Sequence, residues 1–190
     1  GIPFDQCGKV IVATDKTELA YLDILAERGE ANGLKVKKIS QNKLKEVEPH
    51  VQGIAALHVP EAGIVSYTKV AEKLVELLQK EGVEIAFKKE VITIDSEGTA
   101  CSVETKNQTF TSEYLINCSG LYSDTLAKSA GAQLDHRIIP FRGEYYELVD
   151  ERRHLVKNLI YPVPNPNFPF LGVHFTRMID GSIHAGPNAV

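Results

Sequence analysis

The chain has 190 residues, of which 43% are hydrophobic and 24% are charged, and its formal net charge is -4. This length allows one sizeable domain or two small ones, and the acidic balance provides no basic surface for nucleic acid. No apolar run approaches the roughly 20 residues of a transmembrane helix, and three scattered cysteines without CxxC spacing argue against a zinc site or a disulfide framework.

The first third of the chain has the pattern of scaffold. Lys9–Ala13 (KVIVA) is a short β-branched run that predicts a strand, and a helix with apolar residues at helical spacing follows it. Ser40 is positioned to cap a short second helix that ends at Pro49. Residues 54–65 predict strands around a turn and carry His58, and a lone histidine in a strand is more often structural than catalytic.

The middle of the chain alternates helix and strand signals. Ser66 opens an amphipathic helix that ends at Gly82. Lys88–Ile94 predicts a strand, and residues 100–111 predict a hairpin about Lys106-Asn107.

A strand, a turn of small residues and a helix come next. Tyr114–Cys118 is nearly all apolar, as expected for a parallel strand buried on both faces, and Ser119 and Gly120 form the turn before a helix that ends at Gly131. This order points backbone N–H groups at a phosphate or a ribose. Any βα unit with a tight turn has the same pattern, so the signal is only moderately specific.

Residues 138–149 predict one long strand, in which Pro140 is compatible with an edge or a bulge. Tyr145 and Tyr146 are expected on opposite faces of this strand. The charged residues that follow, 150–158, predict a solvated connector without chemistry.

The stretch 161–188 is the least ordinary part of the sequence, because prolines, glycines, aromatic residues and histidines concentrate in it. Asp180-Gly181 between two apolar stretches predicts a hairpin. His174 and Arg177 lie on one arm of this hairpin and His184 lies on the other. Arginine suits the bidentate capture of a carboxylate, and histidine suits a base near neutral pH. At strand spacing, however, His174 and Arg177 point to opposite faces unless a bulge intervenes.

Four segments carry a resemblance to a known family: YPVPNPNFPFLGVHFTRMIDGSIHAGPNAV, ALHVPEAGIVSYTKVA, YLINCSGLYSD and PFRGEYYEL. Together they resemble the L-2-hydroxyglutarate oxidases and dehydrogenases, which belong to the FAD-dependent D-amino-acid-oxidase-like superfamily. The resemblance covers almost the whole chain, and the proline-rich segment is its most specific part.

The resemblance implies an α+β fold with a large mixed sheet. Residues 66–131 would form part of a Rossmann-like FAD-binding domain, and residues 1–65 and 132–190 would form the substrate domain. The sequence contains no GxGxxG motif, with which family members hold the FAD pyrophosphate. We therefore hypothesise that the chain is a central piece of a flavoenzyme of about twice the length, and that alone it binds FAD weakly or not at all and is inactive. The alternative is an intact domain that has lost its initiator Met.

The resemblance also implies roles for individual residues. Arg177 would bind the substrate carboxylate and His174 would be the base, with His58 and His184 as the next choices. Tyr145 and Tyr161 would bind the second carboxylate. In family members a proline can precede the arginine, whereas here Thr176 does, and a slip of one residue changes the face of a strand.

The implied cofactor contacts lie in three places. Val91 would read the adenine ring through its backbone N–H and C=O, although a β-branched residue is expected in any strand. The other implied contacts, near the phosphate or ribose and near the flavin ring or ribityl chain, are Cys118, Ser119, Gly120, Gly186, Pro187 and Asn188. No metal ligands are expected.

The sequence thus predicts an FAD-dependent oxidoreductase that converts L-2-hydroxyglutarate to 2-oxoglutarate and passes electrons to oxygen, a quinone or another acceptor. A relative that acts on glycerol 3-phosphate or an amino acid is the alternative enzyme, and a non-catalytic ligand-binding module is the alternative from another class. A cytoplasmic location is expected, and peripheral attachment to the inner membrane stays open.

Overall fold

The computed structural model describes residues 1–96, 98–167 and 171–189. Phe168 and Phe170, which belong to the proline-rich stretch, lie outside the described residues. The chain forms two compact units, one of residues 1–77 and 142–190 and the other of residues 78–141. The assignment of substrate binding and cofactor binding to separate regions of the chain stays a prediction.

The described residues form four α-helices and twelve strands. The helices are α1 (Leu19–Ala31), α2 (Gln41–Val47), α3 (Tyr67–Lys80) and α4 (Ser123–Ser129). The strands are β1 (Phe4–Asp5), β2 (Lys9–Ala13), β3 (Lys37–Ser40), β4 (Ala55–Val59), β5 (Ile64–Val65), β6 (Val91–Asp95), β7 (Cys101–Thr105), β8 (Gln108–Ser112), β9 (Gly143–Glu147), β10 (Leu159–Pro162), β11 (His174–Arg177) and β12 (Ile183–Ala189). Short 3₁₀ helices span Lys16–Glu18, Gly120–Tyr122 and Asp150–Leu155.

The first unit is built on a seven-stranded sheet in the order β3-β4-β2-β10-β11-β12-β9. The pair β2–β10 is parallel and the other neighbouring pairs are antiparallel, so the predicted large mixed sheet is confirmed. The parallel pair joins residues that are about 150 positions apart in the chain, with Lys9 opposite Leu159. It is the link between the N-terminal strands and the C-terminal hairpin.

Both faces of this sheet are covered by packed side chains around β4 and β2. On one face, Val10, Val12 and Ala56 pack with Leu44 of α2. On the other face, Ala13, Ala55 and Leu57 pack with Leu22 of α1. Burial of these side chains is the main driving force for this part of the fold. Two predicted local features are confirmed: the Ser40 hydroxyl caps α2 by accepting the Lys43 N–H, and β11 and β12 form the predicted hairpin.

The second unit has a three-stranded antiparallel sheet, β6-β7-β8, against which α4 packs. The predicted hairpin about Lys106-Asn107 is confirmed. The predicted strand Tyr114–Cys118 is wrong: this segment is irregular, and Tyr114 and Ile116 are each 84% exposed. A strand needs a partner for its backbone groups, and no described strand lies beside this segment.

The predicted long strand 138–149 is also wrong, because only Gly143–Glu147 is a strand. Its partner β12 pairs with it from Ala189 opposite Gly143 to His184 opposite Glu147. Beyond the reach of β12, residues 138–142 have no described strand to pair with, and Pro140 could not donate a hydrogen bond in any case. None of the helices that the structure describes is long and apolar enough to span a bilayer.

A buried carboxylate fixes the entry into β10. Glu48, at the end of α2, is fully buried, and its Oε1 accepts hydrogen bonds from the backbone N–H groups of Lys157 and Asn158 and from the Asn158 side-chain amide. The sequence gives no sign of this contact, which spans more than 100 positions. It joins α2 to the segment from which β10 starts.

We expect Glu48→Ala to lower the free energy of unfolding of the full-length protein by about 3 kcal/mol, because three hydrogen-bond donors lose their acceptor. The control is Glu46→Ala on the same helix, which breaks only an exposed ion pair with Lys43 and should change that free energy by less than about 0.5 kcal/mol. The measurement is urea unfolding of both variants. Equal stability of the two would contradict this role of Glu48.

Candidate active site

A row of ring-bearing side chains crosses one face of the seven-stranded sheet beyond the area that α1 covers. Ile160 lies opposite Phe175, so the next pair along β10 and β11, Tyr161 and His174, shares the other face. Their rings are stacked, with centroids 4.2 Å apart and an interplanar angle of 12°. On the next strand but one, Tyr145 of β9 approaches His174 edge-on at 6.2 Å. We call Tyr161, His174 and Tyr145, together with Lys9 of β2, the sheet-face row.

His174 is the most buried ring of the row, with 5% of its surface exposed. Its Nδ1 lies 3.0 Å from the carbonyl oxygen of Gly172. Because a carbonyl can only accept, Nδ1 carries a proton, and in the neutral imidazole the free lone pair is then on Nε2. The backbone therefore fixes the tautomer in which Nε2 can take up a proton.

Gly186 makes room for Tyr145 in the row. It lies directly opposite His174 on β12, and a Cβ there would come within 2.6 Å of Tyr145 Cδ1 and 2.7 Å of the Glu144 carbonyl oxygen. With no side chain at this position, the phenol ring lies over β12 and reaches His174. Pro187 and Asn188 follow, and the register between β12 and β9 shifts between Ala185 and Asn188.

His184 stands beside the row on β12, with its ring centroid 6.4 Å from that of Tyr145. Its Nε2 is 3.4 Å from the Ser182 hydroxyl, and that hydroxyl lies 2.8 Å from Asp180 Oδ1. The Ser182 N–H and hydroxyl stabilise the Asp180 carboxylate and lower its pKa. This chain of contacts anchors His184 to the hairpin turn.

Lys9 completes the row at the other end. Its Nζ lies 3.9 Å from the centroid of the Tyr161 ring, a cation–π distance. Burial lowers the pKa of this ammonium group. From the sequence, Lys9 is only the first residue of a predicted scaffold strand. The available signal was its alternation with buried Val10, which places Lys9 on the face opposite that valine.

The structure does not bring Arg177 into the row. The backbone of β11 is regular, so Arg177 lies on the face opposite His174, as strand alternation requires. Its Nη1 donates to the Lys157 carbonyl at 2.6 Å, and its Nη2 lies 3.5 Å from Asp5 Oδ2. These contacts give the guanidinium a structural role between β11 and neighbouring segments.

His58 is likewise on the other face, because it is the register partner of Val10. Burial and, to a lesser extent, the charge of Lys37 lower the pKa of His58. Of the three histidines that the sequence singles out, the structure therefore groups only His174 and His184.

Two of the four cofactor-binding candidates of the second unit, Val91 of β6 and Ser119, line one cavity. The cavity has a volume of about 490 Å³, and Tyr122 and Leu126 also line it. Gly120 has a positive φ of 58°, and a Cβ there would meet nothing within 4 Å. Cys118 is exposed. Gly186, Pro187 and Asn188 belong to the first unit.

Asn117, which lies within the wrongly predicted strand Tyr114–Cys118, holds this turn in shape. Its Oδ1 accepts from the Ser119 N–H at 3.2 Å and from the Ser119 hydroxyl at 2.6 Å, and its amide donates to the Ser123 carbonyl at 2.8 Å. Asparagine ahead of small residues is a common turn signal, which could have identified this role.

Comparison with known proteins agrees with the resemblance seen in the sequence. The family model for FAD-dependent oxidoreductases (DAO) matches residues 1–190. The chain is 52% identical over 191 residues to a protein named L-2-hydroxyglutarate dehydrogenase from Indibacter alkaliphilus, and 42% identical over 191 residues to the protein of that name from Escherichia coli. All of the chain matches, but it covers 48% and 45% of these relatives. It thus spans about half the length of the curated relatives it matches.

Solved structures support the same grouping. The L-alpha-glycerophosphate oxidase of Mycoplasma pneumoniae, determined with FAD bound, superposes with a TM-score of 0.82 at 26% identity, over 100% of this chain and 51% of the oxidase. Sequence and fold therefore agree, and the chain belongs to the family of FAD-dependent oxidoreductases.

Proposed function

We propose that the full-length protein oxidises L-2-hydroxyglutarate to 2-oxoglutarate with FAD. The two relatives named above, which match over the whole chain, support this substrate. The observation that carries the proposal is His174, a buried imidazole on the ring-lined face of the sheet whose Nδ1 donates to the Gly172 carbonyl, which leaves the lone pair that can accept a proton on Nε2. In this proposal the first unit binds the substrate and the second unit contributes to cofactor binding.

The residues of the second unit fit the adenosine part of FAD. β6 is an edge strand of the described three-stranded sheet, so some of its backbone N–H and C=O groups face away from β7. Val91 lies on this strand and lines the same cavity as Ser119. Open space beside Gly120 allows a ligand to approach the backbone of the turn. We infer that Val91, Ser119 and Gly120 would hold the cofactor there, with Cys118 next to them in the turn.

The row can supply the protein's part of the oxidation. Conversion of a secondary alcohol to a ketone removes a hydride from C2 and a proton from the hydroxyl, and FAD, when bound, supplies the hydride acceptor. His174 Nε2 would take the hydroxyl proton. The hydroxyl groups of Tyr145 and Tyr161 would donate to substrate oxygens. His184 would orient the substrate beside Tyr145, and Gly186, Pro187 and Asn188 would lie near the flavin.

We leave Arg177 and His58 out of the proposed substrate contacts. To bind a carboxylate beside His174, Arg177 would have to leave Asp5 and the Lys157 carbonyl and cross to the other face of the sheet. His58 would have to cross in the same way. The electrons from the substrate would pass to oxygen or a quinone.

A second candidate substrate is glycerol 3-phosphate, because the glycerophosphate oxidase shares the fold over the whole chain. Its 26% identity is lower than that of the relatives named for L-2-hydroxyglutarate. Both substrates are small anionic alcohols, so the row could serve either. They differ in their charged groups, because L-2-hydroxyglutarate has two carboxylates whereas glycerol 3-phosphate has a single phosphate.

The direct test is the absorbance spectrum of the full-length protein before and after it is mixed with L-2-hydroxyglutarate without oxygen. We expect flavin bands that bleach with this substrate and persist with D-2-hydroxyglutarate and with glycerol 3-phosphate. Bleaching by glycerol 3-phosphate alone would favour the second candidate. A protein without flavin bands would rule out both oxidase functions and leave a ligand-binding module.

His174→Asn should slow flavin reduction by L-2-hydroxyglutarate about 100- to 10,000-fold, because the group that accepts the hydroxyl proton is lost. The control is His136→Asn, an exposed histidine of the second unit that pairs with Asp135 and should leave the rate unchanged. The rate is measured by anaerobic stopped flow, and flavin content is measured on the same samples. A His174 variant with full flavin content and an unchanged rate would contradict the role of His174 as base.

A further inference from the structure

We propose that Lys9 binds the second carboxylate of the substrate, the one remote from the carbon that is oxidised, and so makes the site selective for dicarboxylates. This inference rests on the proposed function. It comes from the position of Lys9 in the sheet-face row, next to Tyr161 and on the same face as His174. No role for this lysine follows from its sequence context alone.

The geometry separates Lys9 from His174 by one ring. The imidazole of His174 covers one face of the Tyr161 ring at 4.2 Å, so the ammonium group at 3.9 Å must lie over the other face. A substrate whose C2 hydroxyl meets His174 Nε2 would extend its chain across the edge of Tyr161. In 2-hydroxyglutarate the second carboxylate is three carbon–carbon bonds from C2, which suits a cation at the neighbouring position of the row.

The ammonium group of Lys9 has no counter-ion among the described residues. Among the residues that the structure describes, no carboxylate forms an ion pair with its ammonium group, although the side chain is half-buried. The aromatic face attracts the cation but accepts no conventional hydrogen bond, so N–H donors stay available for a ligand. A partly desolvated cation without a counter-ion costs free energy, which an incoming carboxylate would offset.

The rest of the side chain lies beside apolar residues. Lys9 lines a cavity of about 320 Å³ together with Ile11, Leu25 and Leu57. Its methylene groups can pack there while the ammonium group projects toward Tyr161. Glu61 lines the same cavity, but its carboxylate is bound by the backbone N–H of Lys35 at 3.0 Å and by the Lys35 ammonium at 3.7 Å.

The backbone of Lys9 is equally well fixed. β2 is an inner strand that pairs with β4 on one side and β10 on the other, and the adjacent Val10 is fully buried. The side chain of Lys9 therefore extends from a rigid backbone. A site built on rigid strands suits the recognition of a charged group at a fixed distance from the reacting carbon.

The experiment compares Lys9→Met with the wild type in the full-length flavoprotein, because methionine keeps an unbranched side chain that is only one atom shorter and removes its charge. For L-2-hydroxyglutarate we expect KM to rise about 10- to 100-fold with little change in kcat, as for loss of a hydrogen bond to a charged group. For L-2-hydroxybutyrate, which lacks the second carboxylate, KM should not change. Equal effects on both substrates, or no effect on either, would overturn the proposal.

A binding measurement separates this inference from the proposed function. Titration calorimetry with glutarate should give a dissociation constant that Lys9→Met raises about 10- to 100-fold, whereas butyrate binding should be unaffected. If the wild type does not oxidise L-2-hydroxyglutarate, the proposed function fails, but the glutarate titration still decides for or against Lys9. Glutarate binding that is equal in wild type and Lys9→Met would overturn the role of Lys9.

Two further variants guard against a trivial result. Lys45→Met, an exposed lysine on α2, should leave both dissociation constants unchanged. Lys9→Arg keeps the positive charge and should keep the preference for glutarate over butyrate. If Lys9→Met does not fold, Lys9→Gln takes its place. If Lys9→Arg lost the preference for glutarate as fully as Lys9→Met, the argument from charge would be overturned.

Discussion

The alternation of side chains along β11 is the constraint on which the candidate site depends. A regular strand sends successive residues to opposite faces, so His174 and Arg177, three positions apart, cannot meet the same ligand. His174 faces the rings of Tyr161 and Tyr145, whereas Arg177 is held by Asp5 and the Lys157 carbonyl. The two most conspicuous polar residues of the hairpin thus have different tasks.

The row itself exists because five strands from distant parts of the chain lie side by side. β2 brings Lys9 to the face, and its parallel pairing with β10 places Lys9 next to Tyr161. Glu48 supports this arrangement from the opposite face, since it anchors the backbone just before β10 begins. Removal of a contact far from the row can therefore shift the rings within it.

Local sequence signals predicted caps and turns well, but they did not predict which strands lie side by side in the sheet. Ser40 and Asp180-Gly181 work over a few residues, so the cap and the hairpin could be inferred directly. The proximity of Lys9 to Tyr161 depends on the order of strands in the sheet, which the periodicity of the sequence does not encode. Tyr114–Cys118 shows the reverse error: it has the composition of a buried strand, but a strand also needs a partner, and none of the described strands provides one.

The Tyr161 ring separates the Lys9 ammonium from the His174 imidazole, and this order has a chemical reason. A base that accepts a proton becomes positively charged, and a second cation in contact with it would oppose that step. A site for a dianionic substrate nevertheless needs positive charge nearby. In the proposed complex the Tyr161 ring resolves this conflict, because it is stacked on His174 and also holds the Lys9 ammonium on its far face. The phenol then acts as a spacer that keeps the cation close enough to bind the remote carboxylate and away from the imidazole.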